Sequence, residues 1–323
     1  MGIDERDANS MPMMEKSKHS LLCEPRSMDI DQLSHFLKVA EHQNFTKAAE
    51  EVGLSQPAIS RSLQRLEEEM GQPLLDRQNR KVILTEAGER LLSKAKNILS
   101  LVSDAKNELI DDGKSGTIRL GAIPTIAPYF LPSILRSFAT KFPQARMVVQ
   151  ENTTQVLIQR LHHGEIDLAI LAHPIPEKYL EVESLFDEEL FLVAAKGHPL
   201  TEKAVIRMTD LREYPFVLLE EAHCLSDSIV SLCRSRSFQP ISVERTSQLV
   251  TIQELVALHH GISFIPAMAK ELDHSPRRIY RSVGSPKPTR TVIMAWNPYR
   301  YESQLHKKFR RFLSERKSNS DRA

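Results

Sequence analysis

Two cysteines nine residues apart, Cys224 and Cys233, are the side chains in this sequence best suited to covalent chemistry. Cys224 lies in Glu221-Ala222-His223-Cys224-Leu225-Ser226-Asp227, which follows an apolar, strand-like run and opens a helical pattern. A thiol at a helix N-terminus meets unpaired N–H groups and the positive end of the helix dipole. Both favour its thiolate, and a charged neighbouring imidazole adds to the effect. A reactive thiolate with a second thiol is the minimum apparatus for peroxide chemistry, oxidation to a sulfenic acid followed by condensation to a disulfide. In a continuous helix, nine residues at about 1.5 Å each hold the two Cα atoms about 13 Å apart, whereas a disulfide needs about 7 Å or less. Joining the sulfurs would therefore force the segment to refold, which is what a two-state signal requires. The plainer alternative is a pair of buried cysteines packing as small hydrophobes.

The elements around these residues alternate between strand and helix, which implies parallel sheets with helices on both faces. Strands are expected at 118–123, 146–150 and 168–171, with a helix opening after Pro124-Thr125-Ile126-Ala127-Pro128 and another at 154–162. A second set follows, with strands at 190–194, 216–219 and 261–266 and helices after Cys224 and at about 248–258. A strand at 291–295 then returns the chain to the first set, and a basic helix around 307–311 ends it. Two α/β subdomains joined by crossover strands, with a cleft at the strand C-termini, fit this order.

Upstream, residues 33–88 hold a helix, a tight turn, a second helix, a basic wing and a long amphipathic helix. In the recognition helix, residues 56–69, Ile59, Leu63 and Leu66 fall on one inward face, and Ser55 is placed to cap it. Gln56, Pro57, Ser60, Arg61 and Gln64 face outward, as residues that read base edges and phosphates do. A net charge of +1 over 323 residues lends no support to nucleic-acid binding, so placement has to. Arg61 and Arg65 sit on the helix, and Arg77, Arg80 and Lys81 on the wing, where phosphates would lie. For Arg65 or Lys81 alone a solvated charge is the plainer reading, and a helical hairpin that merely packs is the rival for the whole block. From Thr85 to Gly113, Leu91, Ala95, Ile98, Val102, Ala105 and Leu109 recur in steps of four and three. That heptad seam asks for a partner helix, hence a homodimer.

The runs Phe45-Thr46-Lys47-Ala48-Ala49, Leu54-Ser55-Gln56-Pro57-Ala58-Ile59-Ser60 and Leu84-Thr85-Glu86-Ala87-Gly88 resemble the DNA-binding half of LysR-type transcriptional regulators. Leu75 stands where that family usually has phenylalanine. The alternating region resembles the family's effector domain and, behind it, periplasmic ligand-binding proteins. Around His223-Cys224 and Ile123-Pro124-Thr125-Ile126-Ala127-Pro128-Tyr129 the likeness narrows to the OxyR-type peroxide sensors, over most of residues 28–310. The resemblance implies that Cys224 is the peroxide-reactive cysteine and Cys233 the resolving one. It further implies that Thr125, Thr154 and Arg290 line the peroxide pocket, and that His223 and Asp227 tune the thiol and assist reduction. It also implies a homotetramer on double-stranded promoter DNA, hydrogen peroxide as signal, RNA polymerase as partner, activation of oxidative-stress genes and no cofactor. Ala222 stands where a glycine is common, and Cys23 lies outside the pattern.

The expected fold class is therefore α/β plus α. A disordered extension spans residues 1–27, a winged helix-turn-helix 28–86 and a linker/dimerisation helix 87–113. An effector domain follows at 114–310, with subdomains of about 117–187 plus 291–310 and 188–290, then a basic tail at 311–323. With 41% hydrophobic and 6% aromatic residues and no apolar run of membrane length, the sequence reads as soluble and membrane-free. Three cysteines exclude a disulfide-rich secreted scaffold, and residues 1–26 lack the apolar segment of a secretory signal, so the cytoplasm is expected. His162-His163 and His259-His260 lack a third spaced ligand, so no metal is expected. Two rivals remain: a regulator binding a small carboxylate metabolite in the cleft, in which Thr125 is a plain helix cap, and a thiol peroxidase.

Overall fold

The computed structural model describes residues 28–76, 82–220 and 224–320, with side chains to 315. The chain falls into two compact units, residues 1–91 and 92–323.

In the first unit, α1 (Ile30–His42) starts at a capping box: Asp29 accepts from the Gln32 N–H at 2.7 Å, and the Gln32 side chain accepts from the Asp29 N–H. Asn44 caps α2 (Phe45–Val52) by accepting from the N–H groups of Thr46 and Lys47. Gly53 then turns the chain at φ 74°, a conformation that a Cβ disfavours. Helix α3 (Gln56–Met70) follows with Pro57 in its first turn; Ser55 holds the N-cap position but makes no side-chain cap bond, contrary to the expectation. Ile59, Leu63 and Leu66 are buried with Leu33, Phe36, Val39, Ala48 and Ala49. Strands β1 (Leu75–Asp76) and β2 (Ile83–Leu84) pair antiparallel as the base of the wing, and the Glu67 carboxylate accepts from the Leu74 and Leu75 N–H groups beneath it. Arg77, Arg80 and Lys81 lie outside the described residues.

Helix α4 (Glu86–Ile110) opens at Thr85, whose hydroxyl accepts from the Gly88 N–H at 3.0 Å. It ends in two consecutive Asx turns: Asp111 accepts from Gly113 N–H, and Asp112 from Lys114 and Ser115 N–H. Gly88 is required by close approach, because a Cβ there would stand 2.1 Å from the Leu74 carbonyl oxygen.

In the second unit, β3 (Gly116–Ala122) runs parallel to β4 (Ala145–Glu151) and β5 (Leu168–Ala172), with α5 (Ala127–Lys141) and α6 (Thr154–His163) as the crossovers. Next come β6 (Glu181–Ala195), α7 (Pro199–Glu202), β7 (Pro215–Leu219), α8 (Cys224–Ser235), β8 (Ile241–Thr246) and α9 (Leu249–Ala257). The chain closes with β9 (Ser263–Pro266), α10 (Ala267–Glu271), β10 (Arg278–Arg281), β11 (Thr289–Trp296) and α11 (Gln304–Ser320). One hydrophobic core gathers β3, β5, α5, α6, α11 and the middle of β11, among them Leu120, Phe138, Leu161, Ile170, Met294 and Phe309. A second gathers the C-terminal half of β6 with β7, α8, α9 and β9, including Leu192, Phe216, Ile229, Val256 and Phe264.

The expectation of purely parallel sheets is corrected. The seven-stranded sheet runs β10-β6-β11-β5-β3-β4, with β9 also on β6, and β11 is antiparallel to both β5 and β6. The cause is topological: the chain passes from the first core to the second along β6 and returns along β11, so the two strands must run in opposite directions.

From Ser93 onward, linker helix α4 is fastened to the first core of the effector region. Ser93 meets His163 at 3.0 Å, Lys96 pairs with Glu165 at 2.7 Å and Arg300 with Asp104 at 2.7 Å. At its end the Tyr301 hydroxyl donates to Asp111 at 2.7 Å, and Lys308 donates to the Gly113 carbonyl at 2.7 Å.

Candidate functional site

Cys224 is the first residue of α8 and Cys233 lies in its last turn, so one unbroken helix carries both free thiols. They belong to different cores. Cys233 is wholly buried in the second, whereas Cys224 is half-buried and packs against the first. Burial pushes the Cys233 thiol up to about 12.

Burial also raises the pKa of Cys224, and the Asp227 charge adds to the rise. The Thr154 hydroxyl and the Arg290 charge pull it back. The thiol expected to be activated at a helix N-terminus is thus shifted upward, with burial of the sulfur as the largest cause. Thr154 opens α6, and among the described residues its buried hydroxyl has no oxygen or nitrogen partner and acts on the Cys224 sulfur.

Thr125 does not cap α5, whose N-cap position is Ile126. Instead its buried hydroxyl accepts from Arg290 Nη1 at 2.8 Å, and its carbonyl from Nη2 at 3.0 Å. Arg290, on β11, donates through Nε to Glu188 Oε2 at 2.8 Å. Thr125, Thr154, Arg290 and Cys224 therefore form one cluster where the two cores meet. Asp227 stands on the exposed side of the first turn of α8, in a groove with Ser231, Arg234 and Arg245. His223 lies outside the described residues. Sequence reasoning missed Glu188, whose only signal was strand alternation within Asp187-Glu188-Glu189.

On α3, Gln56, Pro57, Arg61, Gln64 and Arg65 are exposed and Ser60 is half-buried. Gln64 donates to Glu68 at 3.0 Å, while Arg61 and Arg65 make no ion pair among the described residues. The seam of α4 leaves Leu109 86% exposed.

Three of the four paired histidines are engaged elsewhere: His162 with Glu177, His163 with Ser93 and His260 with Glu244. Among the described residues no group of three or more His, Cys, Asp or Glu side chains could hold a metal ion. No described helix is long and apolar enough to cross a membrane.

A helix-turn-helix, a long helix and a two-core α/β region with a polar cluster where the cores meet are the parts of a signal-responsive transcriptional regulator. Residues 30–89 match the family described as bacterial regulatory helix-turn-helix protein, lysR family, and residues 111–318 match the LysR substrate binding domain. The chain belongs to the LysR family of transcriptional regulators, in its OxyR-type branch. It is 37% identical over 275 residues to a probable hydrogen peroxide-inducible genes activator of Streptomyces viridosporus, covering 84% of this chain and 88% of that protein. It is 33% identical over 275 residues to the DNA-binding transcriptional dual regulator OxyR of Escherichia coli K12, covering 84% and 90%. A full-length OxyR variant from Pseudomonas aeruginosa superposes with a TM-score of 0.73 at 29% identity, covering 90% of this chain and 95% of that one. An H2O2-bound OxyR mutant of Corynebacterium glutamicum gives 0.61 at 30% identity, covering 92% and 94%.

Proposed function

We propose that this chain is a hydrogen-peroxide-responsive, DNA-binding transcriptional regulator whose switch is the Cys224 and Cys233 pair. The observation that carries the reading is the position of Cys224: at the head of α8, against Thr154 and within the field of Arg290, with the second thiol on the same helix. The Cys224 sulfur attacks one peroxide oxygen, forming the S–O bond as the O–O bond breaks. The thiol proton leaves with the other oxygen as water. Cys233 sulfur then displaces the sulfenic hydroxyl, forming the disulfide and a second water. Thr125, Thr154 and Arg290 hold the peroxide oxygens, while His223 tunes the thiol and Asp227 assists its reduction. Because α8 keeps the sulfurs at its two ends, the bond cannot form until the helix unwinds.

Arg290 argues against the metabolite reading. Glu188 offsets the charge with which this guanidinium would clasp a carboxylate, whereas uncharged peroxide needs only the donor on Nη1 not taken by Thr125. A regulatory rather than an enzymatic role is supported by α3, whose exposed Gln56, Pro57, Arg61 and Arg65, with Ser60, Gln64 and the wing residues Arg77, Arg80 and Lys81, suit a major groove and its flanking phosphates. The chain works as a homodimer through α4 and as a homotetramer on operator DNA, in the cytoplasm with RNA polymerase. Residues 28–86, 87–113 and 114–310 serve as the DNA-binding, linker and effector parts.

Treating the full chain with stoichiometric hydrogen peroxide, then mapping thiols by mass spectrometry and footprinting DNA, tests this. A Cys224–Cys233 bridge with an altered footprint is expected. Intact thiols, or continuous peroxide consumption with an unchanged footprint, would overturn it.

A further inference from the structure

Glu188 has no part in the chemistry just described, yet it is the most deeply placed carboxylate near the site. It faces Arg290 directly across the β6/β11 ladder, as its Cα partner. The two side chains are 3% and 2% exposed, and Arg290 meets Glu188 Oε2 at 2.8 Å through both Nε and Nη2. The other carboxylate oxygen accepts from the Met268 N–H at 2.8 Å, in the first turn of α10. The pair thus ties Thr125, on the turn before α5, to the backbone of Met268, in the first turn of α10. Buried ion pairs of this kind contribute little net stability compared with apolar residues of the same volume, so stability alone does not account for it.

What the arrangement does do is electrical. A bare guanidinium beside Cys224 would draw the thiol strongly toward its anion, whereas a guanidinium in contact with a carboxylate presents only a dipole. We propose that Glu188 is a positioning residue for the cysteine site, holding Arg290 against Thr125 and offsetting part of its charge, so that resting Cys224 feels a guanidinium weakened by its partner rather than a bare cation. Glu188 thereby sets how reluctant the thiol is to react. The inference rests on Cys224 being the reactive thiol. Among the described residues, the other groups acting on that thiol are Asp227 and the Cys224 backbone on its own helix and the Thr154 hydroxyl from α6. Tyr129 from α5, with Glu151 beyond it, also lies within the field of Arg290.

The test is the pH profile of Cys224 alkylation by iodoacetamide in the full chain, followed on the Cys224 peptide by mass spectrometry. Glu188→Gln keeps the shape and removes the charge, and it should move the profile to lower pH by about one unit, or about tenfold faster alkylation near neutrality. Glu188→Asp, which restores the charge, should return the profile toward wild type. A folded Glu188→Gln protein with an unmoved profile, or an aspartate variant shifted as far as the glutamine one, would overturn the proposal. Should Glu188→Gln fail to fold, the neutral double variant Glu188→Gln/Arg290→Gln replaces it. A profile near wild type then supports the offset, and a large move to higher pH sinks it, because Arg290 would have been acting as an unbalanced cation. Iodoacetamide reads the thiol without peroxide, so a failure of peroxide sensing is distinguishable from a failure of this inference.

Discussion

Cys224 and Cys233 lie in the first and last turns of the same helix but belong to different hydrophobic cores, the first packed against the core that holds β3 and β5 and the second within the core that holds β7 and α9. A bond between them must draw one sulfur out of its surroundings. Peroxide treatment should therefore accelerate amide hydrogen exchange across residues 224–235, and the Cys233→Ala protein should show no such change. Exchange that stays slow after the disulfide has formed would contradict the switch.

The buried Cys233 thiol gives a pH signature. Its folded-state pKa is raised from 9.0 to about 12, so the stability it contributes is intact below the unfolded value and is lost as pH rises through the window between the two. Thermal midpoints of the reduced protein should fall through that alkaline window, and less steeply in Cys233→Ala. Cys233→Ser would place an unpaired hydroxyl in an apolar core and cost about 1–3 kcal/mol, read from denaturant midpoints.

Thr125→Val removes the acceptor of Arg290 Nη1 while preserving shape. A buried charged donor left without a partner costs about 1–3 kcal/mol, and oxidation of Cys224 by peroxide should slow in stopped-flow measurements. Thr125→Ser, which restores the hydroxyl, should recover both.

Leu109 is exposed on α4, so Leu109→Asp should alter the stability of the isolated chain by no more than about 0.5 kcal/mol. If the seam is the dimer contact, the same substitution weakens self-association in sedimentation experiments. A dimer unchanged by it would place the contact elsewhere.

Gly88→Ala drives a methyl group into the Leu74 carbonyl, where the obstacle is backbone and cannot swing aside. Overpacking of this kind costs about 1–3 kcal/mol, and DNA affinity in gel shift should fall with the thermal midpoint.

The N-terminal helices were legible because their apolar spacing and turn residues are local: Gly53 and the triad Ile59, Leu63 and Leu66 act within a few residues of where they stand. Pairing across the chain was not legible. Glu188 meets Arg290, 102 residues away, only because β6 and β11 lie antiparallel. Read locally, Asp187-Glu188-Glu189 is an acidic surface run. Strand β8 was missed because Ile241 and Val243 point to solvent, so its alternation marks no buried face. The electrostatics of Cys224 ran opposite to the helix-end rule because its burial comes from the neighbouring core, which no reading of α8 alone supplies.

The fastening of α4 by His163, Glu165, Arg300 and Tyr301 gives it the mechanics of a crank arm. Its 25 residues extend about 37 Å, so tilting its anchorage by about 10° would sweep the far tip through about 6 Å, nearly two base-pair steps of a duplex.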